Sequence, residues 1–145
     1  VARVVVDPNV LVAALISPRG APAALYGALA GGRFELIASP QLLAELERVL
    51  SRGKFRRYAS LDQVHRYVRA IARLAILVED PPALPGVTAD PADDYLVALA
   101  RAERADAIVS GDKHLLELER PRPPVVTARA FVNETVAVDA ASGGE

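Results

Sequence analysis

Arg3-Val4-Val5-Val6-Asp7-Pro8-Asn9-Val10-Leu11 is the stretch that decides the fold. Three β-branched residues in a row form a short strand with no polar face, as suits a sheet covered on both sides. An acid ends the run, and Asn9 is placed to cap a helix reaching to about Ile16. Strand, acidic turn and helix make the first half of an α/β unit.

The same grammar repeats outward. Ser17-Pro18-Arg19-Gly20 breaks the chain, and Pro22 to Ala30 reads as a helix stopped by Gly31-Gly32. Phe34 to Ile37 is a second strand. Ser39 before Pro40 is a cap followed by proline at the first helical position, opening a helix with Leu42, Leu43, Leu46, Val49 and Leu50 on one face. Ser60 and Gln63 have capping-box spacing ahead of the apolar stripe Val64, Tyr67, Val68, Ile71 and Ala75. A third strand follows at Ala75 to Val78, then a rigid loop at Asp80 to Gly86. Asp90-Pro91 starts a helix to about Arg104, Ala107 to Val109 is a fourth strand, and Asp112 caps a short helix through Leu118. A last strand at Val125 to Thr127 and a helix from about Arg129 complete the order. The expectation is one three-layer α/β/α domain over residues 1–139, with a mostly parallel sheet of four to five strands and a disordered tail at 140–145.

Composition sets limits. The chain of 145 residues is 52% hydrophobic and 24% charged, enough to bury a core, and its apolar runs fall short of the ~20 residues needed to span a bilayer. With no cysteine, thiolate zinc sites, disulfides and cysteine nucleophiles are excluded, and a cytoplasmic address without a signal peptide is the expectation. Neither dinucleotide-binding nor P-loop glycine spacing occurs, and His65 and His114 lack metal-ligand spacing. Charge is divided unevenly. From Arg48 to Arg73 eight cations face the single acid Asp62, a balance of +7, so the remainder carries −8 of the net −1. That division suits a polyanion-facing segment on an acidic body, although a solvated helical face has the same charge count.

Ligand sites of open parallel sheets lie beyond the carboxyl ends of the strands, where Asp7 and Asp112 follow strands directly. Each, like Asp90 and Asp93, has the plainer explanation of an acid at a helix start. If the first and fourth strands are neighbours, Asp7 and Asp112 meet at one edge, and an acid of the Asp90 helix can join them. Helical phase puts Asp93 roughly 60° from Leu96 but Asp94 about 160° away, so Asp93 is the one aimed inward. For the earlier helix, Glu45 and Glu47 flank the leucine stripe at similar angles, and periodicity leaves both open.

Four stations in order resemble the PIN-domain nucleases, and among them the VapC-type toxins of toxin–antitoxin pairs. They are Val4 to Leu11 with Asp7 and Asn9; Ser39 to Leu46 with Glu45; Asp90 to Ala100 with Asp93; and Ile108 to Leu115 with Ser110 and Asp112. The resemblance runs from Arg3 to about Val132. It favours Glu45 over Glu47 by its Ala-Glu-Leu context and Asp93 by its spacing to Ala100, with Asp94 as competitor. One departure is Pro8, where the family usually has a small or hydroxyl residue. The resemblance implies RNA as substrate, a homodimer and a cognate antitoxin.

Four carboxylates in one pocket would repel by roughly 3 kcal/mol per pair at ~5 Å and an effective dielectric near 20. All-oxygen donors select hard divalent cations, so Mg²⁺ or Mn²⁺ is the expected occupant of Asp7, Glu45, Asp93 and Asp112, supported by Asn9 and Ser110. Such a centre hydrolyses phosphodiesters. Arg52, Lys54, Arg56 and Arg57 follow the Glu45 helix and are the candidates for backbone phosphate contacts. Two alternatives compete: an inactive PIN-fold binding or scaffold protein, and a doubly wound phosphatase forming an aspartyl phosphate at Asp7. The latter wants a second aspartate where Asn9 stands.

Overall fold

Residues 1–83, 90–119 and 121–143 are described in the computed structural model. Strand β1 (Arg3–Val6) leads into helix α1 (Pro8–Ile16), and α2 (Ala21–Ala30) returns the chain to β2 (Glu35–Ala38). Helix α3 (Pro40–Leu50) runs through a 3-10 turn at Gly53–Phe55 to α4 (Leu61–Leu74) and the two-residue β3 (Ile76–Leu77). Helix α5 (Pro91–Ala102), β4 (Ala107–Val109), α6 (Lys113–Leu116), β5 (Val125–Val126) and α7 (Ala128–Gly143) follow. The loop read at Asp80 to Gly86 extends into residues 84–89, outside the described residues; of the tail expected at 140–145, residues 140–143 continue α7 and residues 144–145 lie outside the described residues.

All neighbouring strands pair in parallel, in the order β3-β2-β1-β4-β5. The chain winds one way from β1 to β2 and β3, then crosses back to β4 and β5. The gap above β1 and β4 is therefore the point where the winding reverses, and the crevice there is the natural ligand site. Val5 pairs with Ile108 and Val6 with Val109 across this junction.

Alternation along β1 builds the layers. Val4 and Val6 pack with Leu11, Leu25, Leu46 and Ile71, a core roofed by α1 to α4, with Phe131 of α7 joining it. Val5 faces the other way and packs with Ile37, Ile108, Leu96 and Leu99 beneath α5. The three-layer α/β/α arrangement and the parallel sheet expected from the sequence are what the structure has.

Local signals explain most boundaries. Ser60 Oγ accepts from Gln63 N at 3.1 Å while Gln63 Oε1 accepts from Ser60 N at 2.8 Å, a complete capping box. Gly32, at φ 72, makes the left-handed turn that ends α2. One cap differs from expectation. Helix α1 is capped by Asp7 rather than Asn9, because Pro8 is suited to the first helical position and the Asp7 carboxylate accepts the Asn9 amide hydrogen. Among the described residues no single helix is long and apolar enough to cross a membrane.

Candidate active site

Three helices begin at the reversal point, and an aspartate caps each. Asp7 Oδ1 accepts from Asn9 N at 2.9 Å, Asp90 Oδ1 from Ala92 N at 2.9 Å, and Asp112 Oδ1 from His114 N at 2.8 Å. Capping therefore does explain each acid. It does not exhaust them, because one oxygen of each carboxylate suffices for the cap. The N-termini of α1, α5 and α6 also bring partial positive charge to the cluster, which offsets some of the mutual repulsion.

Asp7 is held most firmly. Its N–H donates to the Val109 carbonyl at 2.8 Å, joining it to the end of β4. Its Oδ2 accepts from Ser110 Oγ at 2.8 Å, and the same hydroxyl oxygen accepts from Asp112 N at 3.0 Å. Ser110, fully buried, thus ties the two strand-end acids together. Burial pushes the Asp7 carboxyl above the ordinary range, against the lowering effect of the Asn9 and Ser110 bonds, and Asp112 and Asp90 push it further.

Asp93 lies one turn into α5 and is 4% exposed. Its Oδ2 is buried without a hydrogen-bond partner. Burial first, then the charges of Asp112, Asp90 and Asp7, push its carboxyl up to about 7. Oxygen atoms of Asp90, Asp93 and Asp112 lie within 4.8 Å of one another. A buried, partnerless carboxylate oxygen among other carboxylates is the kind of donor a cation would satisfy, and an all-oxygen donor set of this kind fits a hard divalent ion.

A cavity of about 440 Å³ opens over these acids, and Asp7, Asn9, Glu45, Asp90, Asp93 and Asp112 are on its wall. Asp94 is not. It is nevertheless buried, 7% exposed, which differs from the helical-phase expectation. That arithmetic supposes one buried face, whereas α5 is enclosed from Leu96 through Ala100 as well.

Glu45 reaches the cavity from α3 already engaged. Arg48 holds it by two bonds, Nη2 to Oε1 at 2.6 Å and Nε to Oε2 at 3.0 Å. The Arg48 bonds keep the Glu45 carboxyl below its usual range. Tyr95 also walls the cavity. Its hydroxyl donates to Asp80 Oδ1 at 2.5 Å and bonds Ser39 Oγ at the cap of α3, locking α5 against α3.

From the sequence alone Asp90 is a helix cap, Arg48 is one cation of the basic segment, and Tyr95 carries no signal. For Asp90 a signal existed: Asp90 and Asp93 are three apart at one helix start, a spacing that puts both on the same side. Glu45 and Arg48 are likewise three apart, a spacing that pairs opposite charges on a helix; Tyr95 had no such mark. In the basic segment, Arg52, Lys54 and Arg57 are exposed, but Arg56 is half-buried and its Nη2 donates to the Leu50 carbonyl at the end of α3. Phe55 is buried and Tyr58 exposed, with Arg57 stacked over the Tyr58 ring at 5.3 Å.

The PIN domain family profile matches residues 3–114. The uncharacterized protein MJ1680 of Methanocaldococcus jannaschii is 26% identical over 117 residues, covering 80% of this chain and 74% of that one. Among solved structures, PAE2754 from Pyrobaculum aerophilum superposes with a TM-score of 0.63 at 13% identity, over 94% of this chain and 90% of the other. VapBC2 from Rickettsia felis, solved bound to a DNA fragment from their promoter, superposes with a TM-score of 0.57 at 14% identity, over 86% and 96%. At these identities the two superpositions speak for the fold.

Proposed function

The chain belongs to the PIN domain family, whose members are generally nucleases, and we propose that it is a divalent-metal-dependent endoribonuclease that hydrolyses RNA phosphodiester bonds as the toxin of a toxin–antitoxin pair. The observation that carries this reading is the buried, partnerless Asp93 Oδ2 beside Asp90 and Asp112 at the reversal point of the sheet.

Asp90, Asp93 and Asp112 would hold Mg²⁺ or Mn²⁺, with Asp7 beside them. When bound, such an ion supplies neutralising charge and Lewis acidity toward a phosphoryl oxygen and an attacking water. The chain's own groups prepare the site. The Ser110 hydroxyl and the Asn9 backbone N–H orient Asp7 through both of its oxygens. Arg48 restrains Glu45 at the cavity wall, available to an incoming group if the pair opens. A polynucleotide would be repelled by this cluster, so its backbone needs cations nearby, and Arg52, Lys54 and Arg57 are exposed beyond the end of α3. Arg56 belongs to the fold more than to that surface.

The likeness to the VapBC2 structure supports a cognate antitoxin as partner. A homodimer is part of the same reading, for which exposed Leu74, Ile76 and Leu77 at the open β3 edge offer apolar surface. The reading takes the chain as a single domain working in the cytoplasm, with its last helix α7 continuing past residue 139 to Gly143. The test is cleavage of labelled single-stranded RNA, and of DNA of the same sequence, in Mn²⁺ and in EDTA. RNA cut only with metal and DNA left intact is the expected result. RNA intact in Mn²⁺, or DNA cut equally, contradicts the proposal.

A further inference from the structure

Helix α5 has acids at its start and arginines at its end. Beyond Ala102, Arg104 adopts φ 53. Ala105 N bonds to the Ala100 carbonyl at 2.9 Å and Arg104 N to that of Arg101 at 3.2 Å. These are the two bonds of a Schellman turn, and Arg104 occupies its left-handed position, which glycine fills without the steric cost that a Cβ brings. An arginine kept at a glycine position is an outlier that asks for a reason beyond the turn.

The surroundings supply one. Arg101, Arg104 and Arg122 line a cleft of about 560 Å³ with Ala100, Ala105 and Pro123 as its apolar floor. Arg101 Nε donates to the Arg122 carbonyl at 2.9 Å, tying the helix end to the proline-rich segment before β5. Among the described residues no carboxylate lies within ion-pair distance of the three guanidinium groups. Of the nearest acids in sequence, Asp106 Oδ2 accepts the Arg3 N–H at 2.8 Å, and neither it nor Glu103 lines the cleft. A helix dipole accounts for Arg101 in the last turn, but not for Arg122, which comes from another segment.

We infer that this cleft is a second anion site that binds the phosphate group of a nucleotide. Guanidinium groups bind phosphate oxygens through paired, charge-assisted bonds, and three of them match a group with more than one charged oxygen. The apolar floor seats the sugar or base. The site is separate from the acidic cavity: the 12 residues of α5 hold the two ends roughly 18 Å apart. The phosphate comes either from a free mononucleotide or from the backbone of a polynucleotide, and the inference does not depend on RNA cleavage.

Amide chemical-shift titration of the whole, metal-stripped chain tests it, with adenosine 5′-monophosphate as probe and sodium chloride at matched ionic strength as control. Saturable shifts at Arg101 to Ala105 and at Arg122 are expected from the nucleotide alone. Arg104→Gly should weaken that binding by about tenfold, the loss of a charge-assisted contact, while raising the melting midpoint, because glycine is at ease in the left-handed turn. Arg101→Gln with Arg122→Gln should weaken it as well. A short single-stranded oligoribonucleotide that displaces the nucleotide assigns the cleft to backbone phosphate, and one that leaves it in place assigns it to free nucleotide. Either result upholds the site. No saturable shift, equal shifts from chloride, or undiminished affinity in Arg104→Gly overturns it.

Discussion

Asp7, Asp90 and Asp112 each cap a helix with one carboxylate oxygen, and the site is what becomes of the others. Asp93 caps nothing, and its conversion to asparagine is the cleanest single change. Asp93→Asn should lower RNA cleavage at least about a hundredfold, beyond what loss of a mere supporting partner costs, whereas Asp94→Asn, off the cavity wall, should retain much of the activity. Equal loss in both would put the wrong residue in the site. Ser110→Ala removes the hydroxyl shared by Asp7 and Asp112, and Mn²⁺ affinity measured by calorimetry should drop about 10- to 100-fold. The same residues set a pH dependence. The Asp93 carboxyl is raised from 3.8 to about 7, so the folded state holds this proton more tightly than the unfolded chain does. The resulting stability is present below the unfolded value and lost as pH rises through the folded one. Melting midpoints in EDTA should fall between pH values of about 4 and about 7, and Asp93→Asn should flatten that part of the profile. Parallel profiles would mean that Asp93 titrates as a surface acid.

At the scale of elements, α5 carries Asp90 at its cap and Asp93 in its first turn, and α3 with its following turn carries the cations proposed to meet the RNA backbone. Leu99 is fully buried between α5 and the sheet, and Leu99→Ala should cost about 2–5 kcal/mol in urea unfolding. Phosphate contacts release counterions, so replacing Arg52, Lys54 and Arg57 by alanine should flatten the salt dependence of RNA binding by about 0.7 in log–log slope per contact. Arg56→Ala should reduce stability instead, leaving that slope unchanged, since its guanidinium serves the end of α3. Elements were the most legible level in the sequence. The Ser60 and Gln63 box, Ser39 before Pro40, and the unbroken valines of β1 are local signals, and local geometry obeyed them. Asp90 was less legible because its capping role is real and hides the second one. Arg56 was not legible at all: a basic run has no periodicity that says which cation turns inward. The burial of Asp94 escaped for a related reason, since phase describes one helix and not what encloses it on its other sides.

For the whole molecule, the strand order does the assembling. Asp7 and Asp112 are 105 positions apart in the chain, and they meet because β4 pairs with β1 on the side opposite β2. The sequence supports this pairing only as a condition, since strand order depends on contacts between distant segments that no local pattern encodes. Once the order is given, convergence of three helix starts, a shared serine and a buried acid follows from parallel strands ending at one edge. On the proposed reading this convergence is a metal centre. Titration calorimetry of Mn²⁺ into the metal-free chain tests it most directly, comparing wild type with Asp93→Asn and Asp94→Asn. Saturable binding is expected in wild type and in Asp94→Asn, with its loss in Asp93→Asn; binding of equal strength in all three would place the ion elsewhere and contradict a metal centre at Asp93.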